Sequence, residues 1–325
     1  MNGTAKKKIP DKPGFSTQTR GRLGNRILRE LRKNLGLYLL VVVPLTYLIL
    51  FKYIPIYGVQ IAFKNYSPVR SFSDSPWVGL KHFQRFMSTP RFFDILWNTL
   101  TISLYSLLTF PLPIILALLL NYMTSRRYKK IVQLISYAPH FISTVVMVGI
   151  ILQFLDTRSG IINVMIKLAG KEPVNFMGTS QYFYHIYVWS GVWQGIGYSS
   201  IIYIASLAGV PPELHEAAIV DGATILQRIR HIDLPSILPT ASILLILACG
   251  GILSVGYEKV YLMQNNLNSK VSEVISTYVY KQGIIAAIPQ YSYATAIGLF
   301  ISVINVVILI TVNRLSDKIG GNSLF

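Results

Sequence analysis

Hydrophobic residues of this chain cluster in six long stretches that carry almost no charge, and polar residues fill the segments between them. A helix needs roughly 20 apolar residues to cross the hydrocarbon core of a bilayer. The pattern therefore predicts an all-α integral membrane protein with six transmembrane helices. The predicted spans cover residues 35–56, 95–122, 131–155, 186–207, 237–255 and 294–312.

The composition supports this class. The chain is 52% hydrophobic and only 13% charged over 325 residues, whereas a soluble domain usually carries about 25% charged residues. Several of the stretches contain proline, and membrane helices tolerate proline because neighbouring groups bond the carbonyls that it frees. We expect kinks at these positions, which are Pro44, Pro111, Pro113 and Pro139.

The distribution of the net charge of +17 predicts the orientation in the membrane. The segments on the side of the two termini carry eighteen Lys and Arg residues, and the three loops on the other side carry eleven over more residues. Cytoplasmic loops are enriched in Lys and Arg, so both termini are predicted to be cytoplasmic. The excess charge then faces anionic lipid rather than nucleic acid. The three outer loops are residues 57–94, 156–185 and 256–293.

This topology divides the chain into three parts. They are a basic cytoplasmic segment at 1–34, a six-helix membrane domain at 35–315 that includes a long cytoplasmic loop at 208–236, and a short cytoplasmic tail at 316–325. In the first part, residues 1–19 are predicted to be disordered. Residues 20–34 are either an amphipathic helix on the inner leaflet or a solvated run of charge.

The first half of the cytoplasmic loop predicts a short helix. Pro212 suits the first turn, where its missing N–H has no partner to lose. Glu213 and Glu216 then lie near the positive helix end. The small residues Ala217 and Ala218 follow, and another surface can approach them closely. Gly222 is placed to end the helix in a left-handed conformation.

The second half predicts another helix. Thr224 and Gln227 have the spacing of a capping box, in which each side chain bonds the backbone at the other residue. We expect Pro235 to end this helix. A polar loop that contains two short helices is suited to mechanical contact with a soluble partner.

The loop resembles the EAA loop, which marks permease subunits of binding-protein-dependent ABC importers. The resemblance rests on Glu216-Ala217-Ala218, on Asp221-Gly222-Ala223 and on Ile232-x-Leu234-Pro235. One departure is visible, since Leu226 and Ile229 stand where members often carry aromatic residues. The resemblance implies that the EAA helix docks in a groove of an ATPase subunit. The residues implied in that coupling are Glu216, Ala217, Ala218, Asp221, Gly222, Ile232, Leu234 and Pro235.

Four shorter elements are similar to the carbohydrate branch of this family, and two of them to permeases for complex oligosaccharides. They are Trp77 to Phe83, Ser159 to Asn163, Lys52 to Gly58 and Glu273 to Tyr278. The resemblance implies a type I importer fold in the bacterial cytoplasmic (inner) membrane. The implied partners are a second homologous permease in a heterodimer, two ATPase subunits, an extracytoplasmic sugar-binding protein, the oligosaccharide and membrane lipid.

No GxxxxGK[ST] phosphate-binding motif occurs in the chain. ATP and Mg²⁺ are therefore expected on the partner ATPase, with no catalytic site, cofactor or metal site on this chain. Two alternatives stay open. An ion-coupled secondary transporter would need intramembrane carboxylates, and the six stretches contain no Asp or Glu. A membrane-embedded glycan or lipid transferase would need paired ionisable groups near the interface.

A sugar pathway needs aromatic faces and polar groups, and the predicted spans and their ends supply both. The same aromatic residues could instead form interfacial belts, and an asparagine could bond a neighbouring helix. The outer loops carry eleven cations against six acids, which is mildly favourable for an acidic, uronate-containing substrate. Nothing in the sequence confines these cations to the pathway, so solvated loops without such a role are the favoured interpretation. The candidate pathway residues are Trp189, Trp193, Gln194, Tyr198, Tyr257 and Asn305.

Overall fold

The structure is a computed structural model that describes residues 33–69, 71–320 and 323–324. The basic segment predicted at 1–34 therefore lies almost wholly outside the described residues. Across the described ranges the fold is helical, and its extended pairing is a single bridge between Lys64 and Trp77. In chain order the α-helices are α1 (Leu35–Leu48), α2 (Lys81–Met87), α3 (Phe92–Leu108), α4 (Pro111–Asn121), α5 (Arg126–Tyr137), α6 (Thr144–Phe154), α7 (Ile161–Leu168), α8 (Ser180–Ala208), α9 (Pro212–Val220), α10 (Ile225–Arg228), α11 (Leu234–Gly250), α12 (Tyr257–Met263), α13 (Ser269–Ser272), α14 (Ile275–Tyr280) and α15 (Tyr291–Gly320).

Four helical segments of the described chain are long and apolar enough to cross a membrane. A bent pair of helices raises this number to five if it forms one span. The structure thus supports an all-α membrane protein with several spans. The four segments are Leu35–Phe63, Phe92–Asn121, Ile225–Gly250 and Tyr291–Lys318.

The predicted fourth span is helical throughout, as part of the 29-residue helix α8. This helix is not among the strongly apolar segments because Tyr, Trp, Ser, Gly and Gln interrupt its sequence. At about 1.5 Å per residue it is nevertheless long enough to cross a bilayer.

The predicted third span is broken. Helix α5 and the short 3₁₀ turn Ala138–Phe141 meet α6 at a bend of 104°. Pro139 lies in the 3₁₀ turn, and Ser143 caps α6 by accepting a hydrogen bond from the Val146 N–H at 3.4 Å. The kink expected at this proline is therefore a full change of direction, and a new helix starts after it.

The chain divides into two units after Val59. In the first unit, α1 contains Pro44 and continues into a π-helical turn, Ile49–Tyr53. In the second unit, α8 is the central helix, since it contributes to two of the three buried apolar clusters. Phe183 joins residues of α3, α6 and α12, and Tyr203 joins residues of α4 and α11. Gly197 lets α5 approach α8, because a Cβ there would collide with the Ser136 carbonyl.

Two of the sequence elements that resemble those of sugar permeases brace the predicted outer loops. The fully buried Asn163 amide nitrogen lies 3.0–3.2 Å from the carbonyl oxygens of Leu155, Asp156 and Val174, and its oxygen accepts the Val174 N–H at 2.7 Å. The buried Glu273 carboxylate lies 3.0 Å from the Lys281 ammonium. These residues brace connections between helices and have no contact that suggests a ligand.

Candidate functional site

Helix α9 ends in the left-handed glycine that the sequence predicts. Gly222 has φ +80°, and a side chain there would enter open space. The Ala223 N–H donates to the Ala218 carbonyl at 2.8 Å, and the Gly222 N–H donates to the Ile219 carbonyl at 3.0 Å. These two bonds form a Schellman motif, which satisfies the last carbonyls of the helix. The predicted placement of Pro212 in the first turn is also confirmed.

The surface of α9 is exposed on nearly every side, and the helix buries none of its residues. Leu214 and Ile219 are more than half exposed, and Val220 is 87% exposed. Glu216 and Ala217 lie on the same open surface. An apolar helix left uncovered in this way is typical of a surface that another protein contacts.

The second half of the loop contains the predicted capping box, with the Thr224 N–H donating to the Gln227 side-chain oxygen at 2.7 Å. The prediction that Pro235 ends this helix is wrong. The helix runs unbroken from α10 through a π-helical turn, Ile229–Asp233, into α11. Pro235 lies in the first turn of α11, directly after the π turn. A proline inside a continuous helix removes one backbone hydrogen bond, and a π-helical turn beside it is one way in which a helix accommodates that loss.

A buried polar cluster lies where the loop meets the membrane helices. The Asp233 carboxylate is fully buried, and the Tyr122 hydroxyl at the end of α4 donates to its Oδ2 at 2.6 Å. The His215 Nε2 of α9 lies 3.4 Å from its Oδ1 without forming a hydrogen bond to it. The Arg228 guanidinium lies over the Tyr122 ring at 5.4 Å. We call these four residues the loop anchor.

The coupling residues implied by the resemblance surround this anchor. Asp221 and Gly222 are exposed at the turn, and Ala218 is half-buried on the inner face of α9, three residues after His215. Ile232 is half-buried, whereas Leu234 and Pro235 are exposed. Asp233 itself was missed, because it occupies the unassigned position of Ile232-x-Leu234-Pro235 and only the folded chain shows its burial.

A cavity with a volume of about 710 Å³ lies beside α8. That size is within the range of small-molecule sites, roughly 300–1,000 Å³. Of the six candidate pathway residues, Gln194 and Tyr198 line it. The Gln194 amide donates to the Ile142 carbonyl at 2.8 Å, and the Tyr198 ring stacks on His140 with centroids 3.8 Å apart.

The other candidates lie elsewhere. Trp189 and Trp193 are half exposed and do not line this cavity, and the Trp189 indole N–H donates to the Tyr105 hydroxyl at 2.9 Å. Tyr257 lines a second cavity of about 650 Å³ and stacks on Tyr280.

Asn305 of α15 bonds a neighbouring segment. Its oxygen accepts the Leu253 N–H at 3.2 Å, and its amide donates to the Ser254 hydroxyl at 2.9 Å. These contacts match the alternative in which this asparagine bonds a neighbouring helix and does not serve a sugar pathway. They fix the segment between α11 and α12, which lies beside the second cavity.

One cation on the wall of the 710 Å³ cavity was not singled out from the sequence. The Lys259 ammonium of α12 donates to the Tyr187 carbonyl of α8 at 2.7 Å and lies 4.4 Å from the centre of the Tyr187 ring. Burial lowers the pKa of Lys259 to about 8. Within the described residues no carboxylate lies at ion-pair distance from it. The sequence shows a cation in an outer loop, and only the fold brings it to a cavity.

No group of three or more His, Cys, Asp or Glu side chains could hold a metal ion in the described part of the chain.

The family of binding-protein-dependent transport system inner membrane components matches residues 109–321, and this chain belongs to it. Within that family it is a carbohydrate ABC importer permease, as its relatives indicate. Protein LplB of Bacillus subtilis (strain 168) is 41% identical over 98% of this chain and 99% of that protein. The polygalacturonan/rhamnogalacturonan transport system permease protein YteP of the same organism is 40% identical over 92% of this chain and 93% of that protein.

A solved structure has the same fold. It is the crystal structure of a bacterial ABC transporter involved in the import of the acidic polysaccharide alginate. One of its chains matches with a TM-score of 0.83 and 38% identity, over 91% of this chain and 99% of that chain. A second crystal structure, of bacterial alginate ABC transporter in complex with alginate pentasaccharide-bound periplasmic protein, matches with a TM-score of 0.83 and 37% identity, over 92% of this chain and 100% of that chain.

Proposed function

We propose that this chain is one of two permease subunits in a heterodimer that passes an oligosaccharide across the bacterial cytoplasmic membrane. An external binding protein delivers the sugar, and a separate pair of ATPase subunits binds ATP with Mg²⁺ and hydrolyses it. The chain has no catalytic site of its own in this proposal. The fold similarity to a transporter crystallised with its sugar-loaded periplasmic protein supports the partnership.

The single observation that carries the coupling role is the geometry of α9. The helix is exposed outward, with an apolar surface and the small Ala217, and it is held inward by His215 beside the buried Asp233. A docking helix needs both properties. It must offer an uncovered surface to the ATPase and be fixed to the structure that it moves. The left-handed Gly222 sets the angle at which the chain turns into the next helix.

The proposed topology has six spans and two cytoplasmic termini. Helix α8 supplies the fourth span, and the bent pair α5–α6 supplies the third. The number of Lys and Arg residues on the proposed inner side supports the orientation.

The proposed substrate is an oligosaccharide that contains uronate units. The names of two relatives support this class, since one is a polygalacturonan/rhamnogalacturonan permease and the other an importer of alginate. The excess of cations over acids in the outer loops is in keeping with it.

Reconstitution tests the function. The chain, its partner permease, the ATPase and the binding protein are placed in vesicles, and uptake of a uronate trisaccharide is measured with and without ATP. We expect uptake that needs both ATP and the binding protein. Uptake driven by an ion gradient without ATPase would favour the secondary transporter, and covalent modification of lipid or glycan would favour the transferase.

A further inference from the structure

The Lys259 ammonium lies in a cavity wall, and no carboxylate of the described residues is at ion-pair distance from it. The side chain is half-buried, and the position lies outside the four strongly apolar helical segments. A buried charge is costly unless other groups compensate for it. The Tyr187 carbonyl and ring supply part of that compensation. An ammonium has three N–H donors, and one carbonyl uses one of them.

The space around the ammonium is shaped by a glycine. Gly191 lies one helical turn after Tyr187 and lines the same cavity. A Cβ at Gly191 would stand 3.2 Å from the Lys259 Nζ. The absence of a side chain there leaves the ammonium accessible from the cavity. Gln194, on the same helix, adds an amide to the wall.

The other cations of the outer segments differ. Lys281 is paired with the buried Glu273 at 3.0 Å, and Arg91 lies 3.5 Å from the same carboxylate. Lys171 is exposed to solvent. Lys259 therefore combines burial, a cavity and the lack of an anionic partner within the described residues.

We propose that Lys259 is a binding site for a sugar carboxylate inside the translocation cavity. This inference rests on the proposed function and names the group of the substrate that this wall recognises. The free donors of the ammonium bond the uronate carboxylate, and the neighbouring Gln194 amide and Tyr198 ring contact sugar hydroxyls and the sugar face. A charge-assisted bond in a site shielded from water is stronger than a neutral one. The site therefore selects acidic sugar units during passage, separately from the selection made by the binding protein.

The test compares two substrates in vesicles that contain the complete transporter and binding protein. One is trigalacturonate, and the other is its carboxyl-reduced, neutral counterpart. Lys259→Met removes the charge and keeps much of the length. We expect the ratio of acidic to neutral uptake to fall about tenfold, which is the size of a lost bond to a charged group. Lys259→Arg should keep most of the ratio, and Gly191→Ala should lower it in part by crowding the ammonium.

Lys171→Met is the matched control, because it removes an exposed cation from another outer loop and should leave the ratio unchanged. If Lys259→Met leaves the ratio of acidic to neutral uptake unchanged, the inference is overturned. It is also overturned if uptake of both substrates falls equally, because that result indicates a lysine with a structural role only. Failure of the wild-type transporter to take up trigalacturonate would instead contradict the proposed substrate class, and the inference would fall with it.

Discussion

The imidazole of His215 lies 3.4 Å from the carboxylate of Asp233, and 0% of the surface of Asp233 is exposed. The two residues belong to the two halves of the loop at 208–236. Tyr122, at the end of α4, bonds the other oxygen of the same carboxylate. A single buried group thus connects the exposed helix α9, the helix that leads into the membrane, and a third membrane helix.

We predict that Asp233→Ala destabilises the protein by about 3 kcal/mol, because breaking a buried polar cluster leaves its other members without partners. The Tyr122 hydroxyl would lose its acceptor. Thermal unfolding of the purified transporter measures the change. A double-mutant cycle with Tyr122→Phe should give a coupling energy of at least about 0.5 kcal/mol. Additive effects would show that the 2.6 Å bond between them contributes nothing.

Gly222→Val should reduce binding of the ATPase or the coupling of ATP hydrolysis to transport, because valine does not favour the backbone conformation of this position. The position has φ +80° and open space around it, so no clash contributes. A left-handed conformation costs a residue with a side chain roughly 1–2 kcal/mol. The measurement is ATPase activity stimulated by loaded binding protein, alongside uptake. Gly222→Asn is the control, because asparagine tolerates this conformation better. If both variants have the same stimulated ATPase activity and uptake as the wild type, the loop does not couple ATP hydrolysis to transport.

Ala217→Trp probes the exposed surface of α9 without altering the loop anchor. The residue is exposed, so the variant should fold, insert and pair with the second permease. It should lose the bound ATPase because a large side chain holds the two surfaces apart. Co-purification of the ATPase is the readout, and Ala217→Ser should retain it. Full retention by the Trp variant would place the docking surface elsewhere.

The orientation can be checked by labelling in a variant whose single cysteine, Cys249, is replaced. A cysteine introduced at Ser73 should react with an impermeant thiol reagent added outside, and one at Ser125 should not. The opposite pattern would reverse the proposed topology. Permeabilised cells, in which both should react, provide the control for accessibility.

Asn163→Ala should lower the free energy of unfolding by about 1–3 kcal/mol, since buried backbone groups lose their partners. The side chain bonds both sides of the loop around α7. Asn266→Ala, at an exposed position of another outer loop, should change stability by less than about 0.5 kcal/mol. Thermal unfolding of the two variants measures the difference. Similar losses in both would contradict the bracing role.

Features that depend on neighbouring residues were predictable from the sequence. The apolar stretches locate helices because their length and composition are local properties, and the Gly222 turn and the Thr224 capping box follow from chemistry within a few residues. The continuation through Pro235 was not predictable. It depends on a π-helical turn, and a proline pattern by itself indicates an end.

The missed site residues depend on contacts between distant parts of the chain. Asp233 is bonded by Tyr122 across 111 positions, and Lys259 bonds Tyr187 across 72. A sequence gives the type of these residues but not their burial. The same limit applies to Trp189 and Trp193, whose spacing places them on one face of α8 but does not specify which cavity that face meets.

We expect the unbroken helix from Ile225 to Gly250 to act as a lever with arms of unequal length. The loop side, Ile225–Arg228 with Ile229–Asp233, has nine residues and spans about 13 Å, and the membrane side, Leu234–Gly250, has 17 residues and spans about 26 Å. The loop anchor at Asp233 lies at the junction, where a pivot would be placed. A tilt about this point moves the far end about twice as far as the near end. Leu244 and Ala248 on the long arm line cavities beside α8, so we expect a small displacement of the loop to give a larger change in the width of these cavities.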